Sequence, residues 1–360
     1  MSMFIRNCWY VAAWPHELSG KPLARTLLGD PVVLYRQADG QAVALEDRCC
    51  HRDLPLSMGT VCGDRIVCMY HGLAFDKTGK CVHIPVQDQI PDNARVRGYP
   101  LIEQDGIVWI WMGEPALADP AAILAYPWHN DAGWAHRTGY FHLAGHHQLI
   151  NDNLMDLSHV GWVHRQTIGG TPDAHSRASM KTERNGDSVT VRRWMPDSVP
   201  PPTYVRAVGF TGNIDRWMEI RFRPGVIWIY VGANDAGRGI DETTYQNTLG
   251  GRIFDGITPE TATTTHYFFS AAHNFHVDKP QVTTAFFNEI LSTFEEDRVV
   301  IEAQQTRAVA GRRQLGILSD AGGVQVRRII AERLAAEAGI AAGPAIRVDA
   351  FVEHDQIPRT

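Results

Sequence analysis

Cysteine runs out early in this chain. Six are present, Cys8, Cys49, Cys50, Cys62, Cys68 and Cys81, and none follows in the remaining three-quarters of 360 residues. A secreted disulfide scaffold is shorter and denser in cysteine. The distribution fits a reducing cytoplasm, with some thiols used for metal and the others as small buried residues. Long apolar runs are missing too: nothing approaches eighteen uninterrupted apolar residues, so no membrane span is expected. The stretch Met1 to Trp14 carries only Arg6 as a positive charge and stops at Trp14-Pro15-His16-Glu17, which does not read as a signal peptide. No basic run stands out and the formal net charge is −6, so neither nucleic acid nor an anionic membrane is an expected partner. No Gly-x-Gly-x-x-Gly follows a strand, which argues against NAD or FAD bound by this chain.

What is present suggests two domains. Residues 1–115 read as an all-β module. Pro31 to Arg36 is a short apolar strand, Asp39-Gly40 a hairpin turn, and Gln41 to Leu45 its return. Arg65 to Val67, Val96 to Leu101 and Ile107 to Trp111 continue the pattern, with frequent turns, as in a small barrel or sandwich. A Pro/Ala-rich connection from Gly113 to Pro127 separates it from residues 116–360. There, Phe141 to His147 leads into a helix, and strand signals return at Ser188 to Arg192, Gly225 to Val231 and Ala262 to Ala271. Thr283 to Leu291 passes from strand to helix. One helix is expected over about Glu289 to Arg313. Another is expected over Val324 to Ala338, with Val326, Ile329, Ile330 and Leu334 on one face. The fold class is therefore α+β: an all-β front module, then an antiparallel sheet with helices packed on one side.

Two stretches carry chemistry. In the first, Cys49-Cys50-His51 is followed after sixteen residues by Cys68-Met69-Tyr70-His71. Two thiolates and two imidazoles arriving in Cys/His pairs suit a [2Fe–2S] cluster with sulfur on one iron and nitrogen on the other. A structural zinc is the alternative, although zinc sites usually keep like ligands together. In the second, Asn153, Asp156 and His159 are spaced by three, which places them on one helix face. His164 lies off that face unless the backbone turns at Gly161. Two histidines need one carboxylate to complete the triad of a non-haem Fe(II) oxygenase. His142, His146 and His147 form another cluster, assigned a structural or surface role.

The first stretch, with Arg52, Gly72-Leu73-Ala74-Phe75-Asp76 and Gly79-Lys80-Cys81 around it, resembles the Rieske motif. It departs at Cys50 and Met69, where Rieske oxygenases often carry proline. Neither position is a ligand, so the departure bears on loop stiffness. The second stretch resembles the family's mononuclear iron motif, Asp-x-x-His-x-x-x-x-His. The resemblance implies that Cys49, His51, Cys68 and His71 hold the cluster, and that His159 and His164 bind Fe(II). Asp156 would link His159 to a Rieske histidine, His71, of a neighbouring subunit, with Asn153 close to the iron. The third ligand would come from Glu295, Glu296 and Asp297 on the late helix. A segment similar to Glu-Asp-x-Val-Val-x-Glu points to Asp297, with Glu296 as the alternative.

The resemblance covers nearly the whole chain and is to the group that includes vanillate O-demethylase, dicamba O-demethylase and toluenesulfonate methyl-monooxygenase. Ile214-Asp215-Arg216-Trp217, Thr258-Pro259-Glu260-Thr261 and Thr265-His266-Tyr267-Phe268 carry the vanillate-like part of it. It implies a helix-grip-like catalytic domain, a homotrimer and a separate NAD(P)H-dependent reductase. It also implies O-demethylation, using O₂, of a methoxylated aromatic acid such as vanillate. Hydroxylation of an aromatic ring, aryl methyl or N-methyl group is the alternative within the class. An electron carrier fused to a ligand-binding domain is the alternative outside it. Pocket candidates on the sheet are Trp228, Tyr230, His266, Tyr267, Phe269 and Phe287, of which strand alternation turns about half away.

Overall fold

The computed structural model describes residues 3–238, 249–309 and 314–339. The front module consists of three small antiparallel sheets. Trp9–Ala13 pairs with Ile107–Trp111, so the first and last strands of the module lie side by side. Asp30–Arg36 and Ala42–Glu46 form the expected hairpin, and Arg65–Val67 lies between the two Cys/His loops. The single strand expected over Val96 to Leu101 is instead two, Gly98–Tyr99 and Leu101–Gln104, which belong to different sheets. Pro100 between them has no N–H for a ladder, so the chain changes partners there.

The second half is built on a seven-stranded antiparallel sheet. Across it run Ala135–Leu143, Thr265–His273, Leu249–Pro259, Val226–Asp235, Ile214–Arg223, Ser188–Ser198 and Ser179–Asn185. Its central strands are buried on both faces, and every residue of Leu249–Pro259 and of Thr265–His273 is buried. One face, with Ile227, Ile229, Ile253, Tyr267 and Phe269, packs against Phe286, Ile290 and Phe294 of the helix Pro280–Arg307. The opposite face, with Val226, Trp228, Tyr230, Phe254 and Phe268, packs against Trp9, Val11, Trp14 and Trp109 of the front module. Hydrogen bonds cross the same seam: Thr258 Oγ1 donates to Val11 O at 2.7 Å, and Leu28 N–H donates to Pro259 O at 2.8 Å. Burying one large apolar side chain contributes about 1.5–3 kcal/mol, so this seam acts as a core and not as a hinge.

The late helices differ from expectation at their starts. Thr283 to Leu291 is helical throughout, because Pro280 sits in the first turn, where its missing N–H is harmless and its φ suits a helix. The β-branched and aromatic Thr283-Thr284-Ala285-Phe286-Phe287 run reads locally as strand, and tertiary packing overrides it. This helix ends at Arg307, and the expected end at Arg313 lies outside the described residues. The last helix, Ala321–Glu337, buries Val326 and Ile329, with Ile330 and Leu334 partly covered.

Candidate active site

The two Cys/His loops are one turn used twice. Cys49 N–H donates to Leu54 O and Asp53 N–H to Cys49 O; likewise Cys68 N–H donates to Leu73 O and Gly72 N–H to Cys68 O. The fourth residue after each cysteine is left-handed, Asp53 at φ 56° and Gly72 at φ 74°. A Cβ on Gly72 would also lie 2.8 Å from Pro85 Cγ. Both thiols are buried, whereas His51 and His71 are exposed, with ring centroids 4.4 Å apart. Burial, with Cys68 alongside, pushes the Cys49 thiol up to about 11, so only a bound cation or cluster would hold it as thiolate at neutral pH. Among the described residues, only His159, His164 and Asp297 place three donor atoms within 4.8 Å of one another. The front four are spread wider than ligands on one tetrahedral zinc, whose donors lie about 2.0–2.3 Å from the ion. Their pairing suits a two-iron cluster.

The rear triad comes from two elements far apart in sequence. The helix His147–Met155 stops at Asp156, whose backbone is extended, and a short helix, Val160–Val163, follows. Asn153, Asp156 and His159 therefore do not share one helix face; the break at Asp156 replaces that arrangement. His159 and His164 flank the short helix, and their rings converge to 5.2 Å. Gly161 between them is needed for closeness and not for a turn: a Cβ there would lie 2.8 Å from Pro172 Cα and 3.0 Å from His175 Cδ2. Upstream, His146 Nδ1 accepts from Gln148 N–H and caps the helix, a structural role as expected.

Asp297 comes from the middle of Pro280–Arg307. Its Oδ1 lies 3.3 Å from His159 Nε2, 3.1 Å from His164 Nε2 and 3.0 Å from Asn153 Nδ2. Ligand atoms about 2.1 Å from a shared ion at right angles are separated by about 3 Å, so the spacing fits. The far nitrogens are also held. His159 Nδ1 meets the Asp156 backbone carbonyl at 2.7 Å, and His164 Nδ1 meets Glu296 Oε2 at 2.6 Å. Such partners leave both Nε2 atoms facing the donor cluster. Glu296 thus stands behind His164, and Asp297 occupies the position facing both imidazoles. Burial opposes ionisation of Asp297, but hydrogen bonds with His159 and His164 outweigh it and hold the carboxyl well below its ordinary range. Burial opposes protonation of His164, yet Asp297 and Glu296 raise it overall. Asn153 Oδ1 is buried without a partner beside this cluster.

The Asp156 carboxylate does not reach His159 within the chain. Its Oδ1 accepts from Ser158 N–H at 2.9 Å, and it lines an open groove with Asp152, Asn153 and His159. On the inner side, the triad borders an apolar cavity walled by Leu154, Met218, Ile229, Ile253, Phe286 and Ile290. Trp228, His266, Tyr267 and Phe287 do not line it, which corrects the expected pocket. Trp228 and His266 point to the sheet's other face, where Trp228 packs among the front-module tryptophans and His266 Nε2 meets Thr26 O at 2.9 Å. Tyr267 is on the helix side but donates to Asp255 Oδ1 at 2.7 Å, and Phe287 stacks on Phe269 while its neighbour Phe286 reaches the cavity. Arg216 and Tyr204, which sequence reasoning did not select for the pocket, do line it.

A buried pair of cysteines with exposed histidines, attached to a two-histidine, one-carboxylate site beside an apolar cavity, defines a Rieske-type non-haem iron oxygenase. Residues 8–100 match the Rieske [2Fe-2S] domain, and residues 143–336 match the vanillate O-demethylase oxygenase C-terminal domain. The chain belongs to this family of Rieske oxygenase components. It is 39% identical over 350 residues to the toluene-4-sulfonate monooxygenase system iron-sulfur subunit of Comamonas testosteroni, covering 94% of this chain and 99% of that one. It is 37% identical to a vanillate O-demethylase oxygenase subunit of Pseudomonas sp. (strain HR199 / DSM 7063), covering 93% and 96%. The crystal structure of dicamba monooxygenase bound to 3,6-dichlorosalicylic acid superposes with a TM-score of 0.88 at 35% identity, covering 93% and 99%.

Proposed function

We propose that this chain is the terminal oxygenase of a multicomponent Rieske monooxygenase and removes the methyl group of a methoxylated aromatic acid, vanillate being the type substrate. The observation that carries the reading is the His159, His164 and Asp297 donor set opening onto an apolar cavity. Cys49, His51, Cys68 and His71 would hold the cluster, and His159, His164 and Asp297 the mononuclear Fe(II). When bound, the cluster supplies single electrons and the Fe(II) supplies the place where O₂ is reduced. Overall, Ar–OCH₃ + O₂ + 2 e⁻ + 2 H⁺ gives ArOH + HCHO + H₂O; the hydroxylated methoxy carbon is a hemiacetal that expels formaldehyde. The chain's part is to orient one C–H bond and exclude water, which the cavity's aliphatic and phenyl walls suit.

The electrons come from a separate NAD(P)H-dependent reductase, in keeping with relatives named as subunits or components of oxygenase systems. The sparse cysteines, confined to the first quarter of the chain, suit a reducing cytoplasm; no helix among the described residues is long and apolar enough to cross a membrane. The proposed division places the cluster module at 1–115 and the catalytic module at 116–360. In the proposed head-to-tail homotrimer, Asp156 links His159 to His71 of a neighbouring subunit, which its place at the open groove suits. Light scattering tests the trimer. Asp156→Asn is expected to keep both metals and slow electron transfer in single turnover.

The deciding assay incubates the iron-replete enzyme and a competent reductase with a panel of methoxybenzoates. Formaldehyde equal to the phenol formed supports demethylation. The toluenesulfonate relative favours a second reading, aryl methyl hydroxylation. A benzylic alcohol from a methylated ring, without formaldehyde from any methoxy ring, would select that reading instead.

A further inference from the structure

The cavity that borders the triad is apolar except at two places where polar atoms are left unmet. Arg216, on the strand Ile214–Arg223, is 3% exposed. Its guanidinium donates to Ile168 O at 2.9 Å and to Gly169 O at 3.3 Å, but its Nε is buried without a partner. Among the described residues no carboxylate lies within ion-pair range of it. Tyr204, on the helix Pro202–Val208, is also 3% exposed; its buried hydroxyl lies beside the Arg216 guanidinium and has no acceptor for its proton. The Arg216 guanidinium carbon sits 5.1 Å from the Tyr204 ring centre. Both residues line the cavity that His159, His164 and Asp297 line. Thr293, the other hydroxyl on that wall, is satisfied by the Glu289 carbonyl and Thr167.

A buried guanidinium facing carbonyls but no counter-charge is incompletely compensated. Buried Arg193 nearby has Asp156 at 3.8 Å, a counter-charge that Arg216 lacks. An oxyanion entering the cavity would accept from Arg216 Nε through one oxygen and from the Tyr204 hydroxyl through another. We infer that Arg216 and Tyr204 form the subsite that reads the anionic group of the substrate, an aryl carboxylate or sulfonate, and thereby set selectivity for aryl acids over neutral aryl ethers. The inference rests on the aryl-acid reading given above. It assigns recognition to the helix-facing side of the sheet, whereas His266, one of the pocket candidates from the sequence, is on the other.

The test uses the iron-loaded holoenzyme and three probes of one shape: 4-methoxybenzoate, 4-methoxybenzenesulfonate and neutral 4-methoxybenzamide. Affinities are measured anaerobically by calorimetry and kcat/KM with reductase. Wild type is expected to prefer one or both anions over the amide, and which anion it prefers identifies the natural acid. Arg216→Gln is expected to weaken binding of the preferred anion about 100-fold, leaving the amide unchanged. Tyr204→Phe is expected to cost about tenfold on the anion alone, and Arg216→Lys to restore part of the preference. Equal losses on anion and amide would show that Arg216 only supports the Ile168–Gly169 segment, and would overturn the subsite. Equal wild-type affinity for anion and amide would overturn it as well. If Arg216→Gln does not fold, Tyr204→Phe decides: a selective loss upholds the subsite and an unselective result rejects it. If wild type binds neither anion, the aryl-acid reading fails and the subsite fails with it; unselective variants of an anion-binding wild type would remove the subsite alone.

Discussion

The two donor sets in this chain are built on opposite plans. The front set occupies 23 residues, two copies of one turn on a hairpin, with sulfurs inside and imidazoles exposed. The rear set draws His159 and His164 from one segment and Asp297 from a helix more than 130 residues later, and it is enclosed by the sheet's apolar face. Each rear imidazole has a fixed partner behind it, the Asp156 carbonyl or the Glu296 carboxylate. Among the described residues, neither front imidazole hydrogen-bonds to a carboxylate of its own chain. Local sequence suffices to make a cluster-binding loop and leave its histidine edge open to a partner. A site that must hold O₂ chemistry away from water needs the tertiary fold.

Breaking either set alone separates them most sharply. His159→Ala should reduce turnover to background while the visible absorption of the cluster is kept; Cys68→Ser should do the reverse, bleaching the cluster and leaving mononuclear iron. Loss of the cluster in His159→Ala would mean that the two sets are not independent. Glu296→Gln tests the held imidazole and should lower iron affinity or activity about 10–100-fold, with the cluster spectrum unaltered; wild-type iron retention would remove Glu296 from the site. The sheet's two faces give a milder contrast. Trp228→Ala should cost about 3–5 kcal/mol of stability, as for other buried large-to-small changes, and leave KM alone, whereas Phe286→Ala should raise KM. A KM change in Trp228→Ala would put that residue back in the pocket.

The smallest effect concerns the seam between the modules. Burial holds His266 down, to about 4, against an ordinary 6.5. Its native form resists a proton that the unfolded chain accepts, so stability should fall as pH drops from 6.5 towards 4. His266 contributes about 1 kcal/mol per pH unit to this slope, alongside His129, His147 and His175, which burial also lowers; read as melting temperature against pH, the slope should become shallower by that share in His266→Gln. An unchanged slope in the variant would assign the acid sensitivity elsewhere.

Most of the chemistry was legible from spacing. The Cys/His pairs sit within one hairpin; the choice of Asp297 among Glu295, Glu296 and Asp297 came from the resemblance of its segment to Glu-Asp-x-Val-Val-x-Glu and not from spacing. The substrate wall was not legible, for a physical reason. Alternation shows that neighbours on a strand point opposite ways, but only a polar face tells which way is in. Thr265–His273 and Leu249–Pro259 are buried on both sides, so His266 and Tyr267 look alike in sequence. Arg216 was visible only as part of a motif, because its role depends on where Tyr204 of Pro202–Val208 is brought against it. The break after Met155 carries no glycine or proline to announce it; Asp156 leaves the helix with an extended backbone while its side chain accepts from Ser158 N–H.

Iron counted per chain, in wild type and in His164→Ala, tests the central claim most directly. The account predicts about three irons in wild type, two in the cluster and one mononuclear, and the loss of one in the variant with the cluster absorption intact. Two irons in an active wild type, or no loss of iron in His164→Ala, would contradict it.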